Sequence, residues 1–158
     1  MQGPSECVYA RNCSIRRLDK ERAADFLTRN HYLGACKARY HYGLFTLRTT
    51  GHAEKAVDEG TLVAVGSFSN ARRFQDGHTS YEWIRYASLK GLRVMGGMSK
   101  ILKTFSDEHH PGDVMTYVDA SLTDGKAYKD LGFKEVQRIE RADYTNLKLK
   151  LFLPQEGE

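Results

Sequence analysis

The sequence predicts a single α/β domain, built on a mixed β-sheet of about seven strands with helices on both faces. Three observations lead to this prediction. Segments with the two-residue periodicity of strands alternate along the chain with segments of helical periodicity. Glycine and proline residues separate these segments at short intervals. The chain has 158 residues, a length that fits one domain.

Two terminal segments lie outside the predicted domain. Residues 1–12 are polar and show no periodicity, so we predict a flexible N-terminal arm. The domain is expected at 13–153, and 154–158 are expected to form a C-terminal tail.

The first half of the domain predicts one helix and three strands. Residues 13–17 have the pattern of a short strand, and Asp19 is suited to cap a helix over 20–30. The apolar stripe of this helix consists of Ala23, Ala24, Phe26 and Leu27. Strands follow at 40–47 and 62–68, where aromatic and β-branched residues are enriched.

The middle of the domain predicts a strand, a long helix and another strand. Residues 81–88 alternate in polarity, which indicates a strand. A helix is predicted over 97–109 because apolar residues recur there at helical spacing: Met98, Ile101, Leu102 and Phe105. The apolar run 114–118 predicts the next strand.

The end of the domain predicts a short helix and two strands. Ser121 and Asp124 have the spacing of a capping box for a helix that continues to Leu131. Gly132 is predicted to end this helix in the left-handed conformation, which glycine adopts at little steric cost. Strands are expected at 133–139 and 144–152.

Composition indicates which ligands and which cellular compartment suit the protein. The net charge is +4 and the pI is about 8.9, which permits phosphate-bearing ligands or a nucleic acid without selecting between them. Three cysteines without a CxxC pair favour a reducing cytoplasm or nucleus over secretion, and we expect a cytoplasmic protein. The chain has no apolar run near 18 residues, so no membrane partner is expected. Its histidines lack metal-ligand spacing, so no metal is expected.

Several polar residues occupy positions where sites are built. The glycines of Arg93-Val94-Met95-Gly96-Gly97-Met98-Ser99-Lys100 open a helix after a strand, where free N–H groups can bind an anion; a plain glycine-rich turn is the alternative. Glu82 and Arg85 differ by three, so on a regular strand they face opposite sides unless a bulge intervenes. Glu82 is a candidate base if buried, or half of an exposed ion pair.

Other candidates follow from strand ends and basic loops. Asp119 ends a predicted strand, where polar residues line α/β clefts, although an Asp that closes a local turn fits equally well. Arg72 and Arg73 lie in a basic loop. Together with Lys37, Arg39 and Arg48 they are cations interleaved with Tyr32, Tyr40 and Tyr42, a combination that suits phosphate contacts and base stacking. A solvated hairpin explains the same loop.

The segment 119–133 resembles a known family. Its Ala127-Tyr128-Lys129-Asp130-Leu131-Gly132-Phe133 is similar to the A-x-x-x-Y-x-x-x-G-F end of the GCN5-related N-acetyltransferases (GNAT). Arg93 and Gly96 match the Q/R-x-x-G-x-G/A pyrophosphate motif, whose last position is here Met98. The order of predicted elements is also that of a GNAT domain.

This resemblance implies acetyl-CoA as cosubstrate and an amine as acceptor. The cofactor-binding residues would be Arg93, Val94, Gly96, Gly97, Met98, Ser99 and Lys100. Tyr128 would protonate the leaving thiolate, and Glu82 or Asp119 would accept the amine proton, with Arg85 beside them. The acceptor site would be bordered by His31, Tyr32, Arg72 and Arg73.

A narrower resemblance is to Mom-type GNAT-like domains of phage DNA-modification proteins. The matching motifs include His31-Tyr32-Leu33-Gly34, Glu82-x-x-Arg85, Gly96-Gly97-Met98-Ser99-Lys100 and Tyr117-x-Asp119. It implies a functional set of Arg85, Ser99, Asp119 and Tyr128, a DNA or RNA base as acceptor, and a phage-encoded protein in the host cytoplasm. Three functions therefore stay open: an N-acyltransferase, a Mom-like nucleic-acid module, and a GNAT-fold binding domain without catalysis.

Overall fold

A computed structural model describes residues 6–50 and 56–154 of the chain. Three helices are present in these ranges: α1 (Lys20–Asn30), α2 (Gly97–His109) and α3 (Lys126–Lys129). The strands are β1 (Glu6–Tyr9), β2 (Cys13–Arg17), β3 (Tyr40–Thr46), β4 (Leu62–Phe68), β5 (Arg72–Arg73), β6 (Thr79–Ser88), β7 (Leu92–Met95), β8 (Asp113–Asp119), β9 (Lys134–Glu140) and β10 (Thr145–Phe152).

The strands form one large mixed sheet and one small parallel pair. The large sheet has the order β2-β3-β4-β6-β8-β10-β9, and β5 pairs with the beginning of β6. Within this sheet β6 and β8 are parallel, whereas the other neighbours are antiparallel. The seven strands predicted from the sequence are the seven on the main path, so the predicted α/β mixed sheet is confirmed.

Helices cover the sheet on both faces, as predicted. On the face that we call the α1 side, Phe26 and Leu27 of α1 pack against Val65 and Ala87. The opposite face, the α2 side, carries the larger core, in which the Phe68 and Phe105 rings stack with a centroid separation of 3.9 Å. Strand alternation therefore assigns each sheet residue to one of the two sides.

The predicted N-terminal arm is wrong for residues 6–12. β1 pairs in parallel with β7, from Glu6 opposite Leu92 to Tyr9 opposite Met95, and a 3₁₀ turn follows at Ala10–Asn12. Val8 and Ala10 are buried in the core on the α2 side. This pairing joins segments far apart in sequence, so local polarity did not reveal it. Residues 1–5, and 155–158 of the predicted tail, lie outside the described residues.

The predicted capping box is also wrong. α3 begins after Gly125, which adopts a left-handed φ of 78° and supplies no side-chain cap. The Ser121 hydroxyl instead donates a hydrogen bond to Asp119 Oδ1 at 2.7 Å, because the chain makes a turn directly after β8. Gly132, with φ of 104°, ends the helical segment in the left-handed region as predicted.

None of the helices in the described ranges is long and apolar enough to cross a membrane.

Candidate active site between two diverging strands

A cleft opens in the sheet because β6 and β8 pair along only part of their length. Their parallel register runs from Ser80 opposite Asp113 to Glu82 opposite Met115, yet the two strands continue to Ser88 and Asp119. A pocket of about 590 Å³ occupies the gap. Beyond Glu82 the described strands have no backbone pairing across the gap, although the Thr116 hydroxyl donates to the Trp83 carbonyl at 2.9 Å.

A β-bulge in β6 shapes the wall of the cleft that this strand forms. Against β4, Phe68 pairs with Trp83 and Ser67 pairs with Arg85, so Ile84 is the extra residue. Two side chains hold the bulged backbone: Trp83 Nε1 donates to the Arg85 carbonyl at 3.0 Å, and Arg85 Nη1 donates to the Ile84 carbonyl at 3.1 Å.

The bulge places Glu82 and Arg85 on the same side of the sheet. A regular strand would place them on opposite sides, but the bulge, which the sequence interpretation named as the exception, places them together. Arg85 shares the α1 side with its partner Ser67, and Glu82 is opposite to Trp83, which packs on the α2 side. Both side chains line the pocket. Arg85 Nε also donates to the Gly34 carbonyl at 3.1 Å, which fixes the loop after α1.

Glu82 has the properties of a base that is partly withdrawn from water. Its side chain is about half-buried, and burial raises the pKa of the carboxyl, while the nearby charges of Arg85 and Lys148 act in the opposite direction. A carboxylate with a raised pKa binds a proton more readily than an exposed one. It is thus suited to accept a proton from an amine.

Tyr128 enters the same cleft from α3. Its ring makes edge-to-face contacts with Trp83 at 5.3 Å and with Phe133 at 5.5 Å between centroids. Burial raises the pKa of Tyr128 to about 12, although the neighbouring Thr116 hydroxyl lowers it. The phenol therefore remains protonated at neutral pH and is available as a proton donor.

Asp119 lies at the end of β8 on the cleft wall, but a turn uses part of its carboxylate. Oδ1 accepts hydrogen bonds from the backbone N–H of Ser121 at 2.9 Å and from its hydroxyl at 2.7 Å. The Asp119 backbone carbonyl accepts from the N–H groups of Leu122 and Thr123. This geometry favours the turn-forming alternative for Asp119 over the role of base.

His31 and Tyr32 border the cleft from the loop after α1. Their rings stack at 5.0 Å, and His31 Nδ1 accepts a hydrogen bond from the Leu33 N–H at 3.0 Å. Burial and the charge of Arg85 lower the pKa of His31. Tyr32 is 69% exposed, so its ring is available at the mouth of the cleft.

The glycine turn between β7 and α2 has the geometry of an anion site, with two different reasons for its glycines. Gly96 precedes α2 with a φ of 78°, and no described side chain caps the helix. Gly97 lies against Tyr86, whose hydroxyl a methyl group at Gly97 would overlap. Met98 of this turn lines the cleft, so the free N–H groups of the first turn lie at its edge.

The remaining predicted cofactor residues are divided between two environments. Val94 packs beside Gly97, whereas Arg93 is exposed and contacts Met95 Sδ at 3.7 Å. Lys100 donates from Nζ to the carbonyls of Ala10 at 2.9 Å and Cys13 at 2.5 Å, which directs its amine toward the N-terminal segment. Gly96, Ser99 and Lys100 line a second cavity of about 510 Å³ beside β1.

The predicted acceptor residues Arg72 and Arg73 do not line the cleft. They form the short edge strand β5, are exposed, and pair with Ser80 and Thr79 ahead of the point where the strands diverge. Arg72 covers the Phe74 ring at 5.2 Å. The sequence interpretation grouped these arginines with Tyr32 and Tyr40 by residue type, but sheet pairing places them outside the pocket.

Cleft residues that the sequence interpretation missed come from β6, β8, the turn after β8 and the C-terminal hairpin. They are Ile84, Tyr86, Thr116, Val118, Thr123, Tyr144 and Asn146. Alternation along 114–118 was the available signal: Thr116 and Val118 share the α2 side, whereas Tyr117 and Asp119 share the α1 side. Within the described ranges, no group of three or more His, Cys, Asp or Glu side chains has the arrangement to hold a metal ion.

Sequence comparisons give no match: no family model matches the chain, and no curated protein matches it. Structural comparison, in contrast, finds many similar chains. NAA60 of Arabidopsis thaliana in complex with acetyl-CoA is 12% identical, with a TM-score of 0.63 over 89% of this chain and 99% of that chain. The ribosomal-protein-S18-alanine N-acetyltransferase of Escherichia coli is 16% identical, with a TM-score of 0.58 over 92% and 97%.

A histone acetyltransferase HPA2 and related acetyltransferase from Corynebacterium glutamicum is 12% identical, with a TM-score of 0.63 over 93% of this chain and 99% of that chain. These matches span nearly the whole of both chains in each pair. At such low identity they establish the architecture alone. The chain therefore has the fold of the GCN5-related N-acetyltransferases.

Proposed function

We propose that this protein is an N-acyltransferase that moves the acetyl group of acetyl-CoA to an amine. The observation that carries the proposal is the convergence of Glu82 and Tyr128 on one pocket, at the point where β6 and β8 separate. A raised-pKa carboxylate and a protonated phenol are the base and acid that acyl transfer to nitrogen requires. The acetyl-CoA-bound NAA60 structure, which shares the fold, supports the choice of cosubstrate.

The gap between the strands suits the pantetheine arm of CoA. This arm is extended and carries amide groups, which can bond to the backbone edges that β6 and β8 leave open beyond Glu82 and Met115. The pyrophosphate would rest on the turn at Gly96 and Gly97, where glycine allows close approach and the N–H groups of α2 point outward. The thioester would then lie near Tyr128.

The proposed chemistry needs two proton transfers. The amine nitrogen attacks the thioester carbonyl carbon and forms the C–N bond while Glu82 accepts the N–H proton. The tetrahedral intermediate collapses as the C–S bond breaks, and the departing thiolate takes the proton of Tyr128. Water then returns a proton to the Tyr128 phenolate, and the carboxylic acid of Glu82 releases its proton to solvent.

Acetyl-CoA binding and turnover test this proposal separately. Thermal unfolding with CoA should show stabilisation, since a ligand at 100 times its Kd contributes about 2.7 kcal/mol to the native state. Release of free thiol from acetyl-CoA in the presence of amines measures transfer. Stabilisation without turnover on any amine would favour the GNAT-fold binding domain, and no stabilisation would reject the acetyl-CoA proposal.

A nucleobase acceptor of the Mom type is a second candidate. The observation that favours it is a group of three exposed tyrosines that line the cleft: Tyr32, Tyr117 and Tyr144 are 69%, 39% and 44% exposed. Exposed aromatic rings are platforms on which bases stack. The test is incubation with acetyl-CoA and single-stranded or duplex DNA or RNA, followed by mass analysis of the nucleosides. Unmodified nucleosides, together with no salt-dependent binding, would reject this candidate.

A further inference from the structure

The α1 side of the cleft is the side from which an acceptor reaches the base. Glu82 and Arg85 of β6 lie on this side, as does Tyr117 of β8. Lys148 of β10 is the register partner of Tyr117, so it shares the same side. The α2 side of the gap is lined by Met98 and Tyr128 instead. Acyl donor and acceptor would therefore meet from opposite faces of the sheet.

The Arg85 guanidinium group is fixed in orientation, but only some of its hydrogen-bond donors are used. Its Nε and Nη1 atoms donate to the carbonyls of Gly34 and Ile84, both at 3.1 Å. The guanidinium group has further N–H donors, and they form no hydrogen bond within the described ranges. Because two carbonyls fix its orientation, little side-chain entropy remains to be lost when these donors bind a ligand.

Lys148 is the second cation on the α1 side. Across residues 6–50 and 56–154, neither Lys148 nor Arg85 forms an ion pair. Burial raises the pKa of Glu82, and the charges of Arg85 and Lys148 oppose that rise. The Asp119 carboxylate on the same side is engaged by the turn at Ser121. Arg85 thus lies beside the base on β6, and Lys148 lies on the same side of the sheet on β10, one strand beyond the gap. Within the described ranges neither cation is in contact with a carboxylate.

We propose that the acceptor carries an anionic group, a carboxylate or phosphate, close to its amine, and that Arg85 and Lys148 bind this group while the amine faces Glu82. An arginine with free N–H donors suits planar or tetrahedral oxyanions. The base attracts the amine and the two cations attract the anion, so the wall is complementary to a molecule with both groups. This inference rests on the proposed acetyl transfer, because it assigns the acceptor half of the same cleft.

The test measures anion binding at the wall while CoA occupies the donor side. Wild-type protein saturated with CoA is titrated with inorganic phosphate, and thermal unfolding is compared with sodium chloride of equal ionic strength. We expect stabilisation specific to phosphate, with an apparent affinity about tenfold weaker in Arg85→Gln and in Lys148→Met. Lys134→Met, at an exposed position of β9, is the matched control and should keep the wild-type affinity.

A second readout distinguishes the two anion classes. Acetyl transfer is compared for phosphoethanolamine against ethanolamine, and for glycine against glycinamide. The anionic member of the productive pair should have about tenfold higher kcat/KM, and Lys148→Met should abolish this preference. The hydrogen bond to the Gly34 carbonyl comes from Arg85, so Lys148→Met leaves it intact and separates charge recognition from any effect of Arg85→Gln on that loop.

The outcomes distinguish a failure of the anionic-acceptor inference from a failure of the proposed acetyl transfer. Two results would reject the anionic acceptor and leave acetyl transfer standing, provided that CoA stabilises the protein. One is the same phosphate affinity in wild type, Arg85→Gln and Lys148→Met. The other is a stabilisation by phosphate no larger than that by chloride. If CoA itself produces no stabilisation, the proposed function fails first.

Discussion

Glu82→Gln keeps the size of the side chain and removes the group proposed to accept the amine proton. Glu82 lies on the α1 side, whereas the turn proposed for CoA binding lies at α2. We therefore expect kcat/KM for the amine to fall about 100-fold or more, in the range of general-base contributions. CoA affinity should change less than about threefold, since the lost group does not face the donor.

The stability of the same variant provides an internal control. Burial raises the pKa of Glu82, so the folded state favours the neutral carboxyl. Its contribution to stability is present below the ordinary glutamate pKa and is lost as the pH rises through the higher pKa of the folded protein. At pH 7 the neutral Gln should unfold at the same temperature as wild type or higher, so a loss of activity cannot be attributed to unfolding.

The assay is the rate of thiol release from acetyl-CoA, measured between pH 5 and 9 together with thermal unfolding. In wild type, kcat/KM should rise with pH through the raised pKa of Glu82, and Glu82→Gln should lose that rise. An active Gln variant, within about threefold of wild type and with the same pH dependence, would refute the assignment of Glu82 as base.

Three further predictions concern the acid, the turn and a distant buried carboxylate. Tyr128→Phe should lower kcat at least about tenfold while the unfolding temperature stays near wild type, and unchanged kcat would remove the acid role. Gly96→Ala should destabilise by about 1–2 kcal/mol, because φ is 78° although a methyl group has room beside Ala10; an unchanged unfolding temperature would contradict this. His78 Nε2 donates to buried Asp113 at 2.5 Å, and this bond raises the pKa of His78. The stabilising effect of His78 over His78→Asn should be complete below the ordinary pKa of about 6.5 and disappear as pH rises through the higher folded value. An effect independent of pH would contradict it.

Local chemistry was sufficient for much of the architecture. Asp19 accepts a hydrogen bond from the Arg22 N–H at 2.7 Å and begins α1 where its side chain predicts. The apolar stripe Ile101, Leu102 and Phe105 of α2 is buried, since helical periodicity gathers these residues on one face. These features depend on neighbours a few residues away, which the sequence displays directly.

Other features depended on which strand lies beside which. The bulge at Ile84 arises from the register between β6 and β4, and β1 forms only because β7 offers an edge. Neither pairing leaves a local trace in the residues concerned.

The sequence by itself determined the order of the seven main strands, the bounds of α1 and α2 and the residue types available for acyl transfer, because these follow from local periodicity and backbone preference. Tertiary structure alone decided that Glu82 and Arg85 share a side, that Arg72 and Arg73 stay outside the cleft, and that Lys148 lies on the same side of the sheet as the base. Side-chain direction in a sheet depends on register, and one extra residue reverses it.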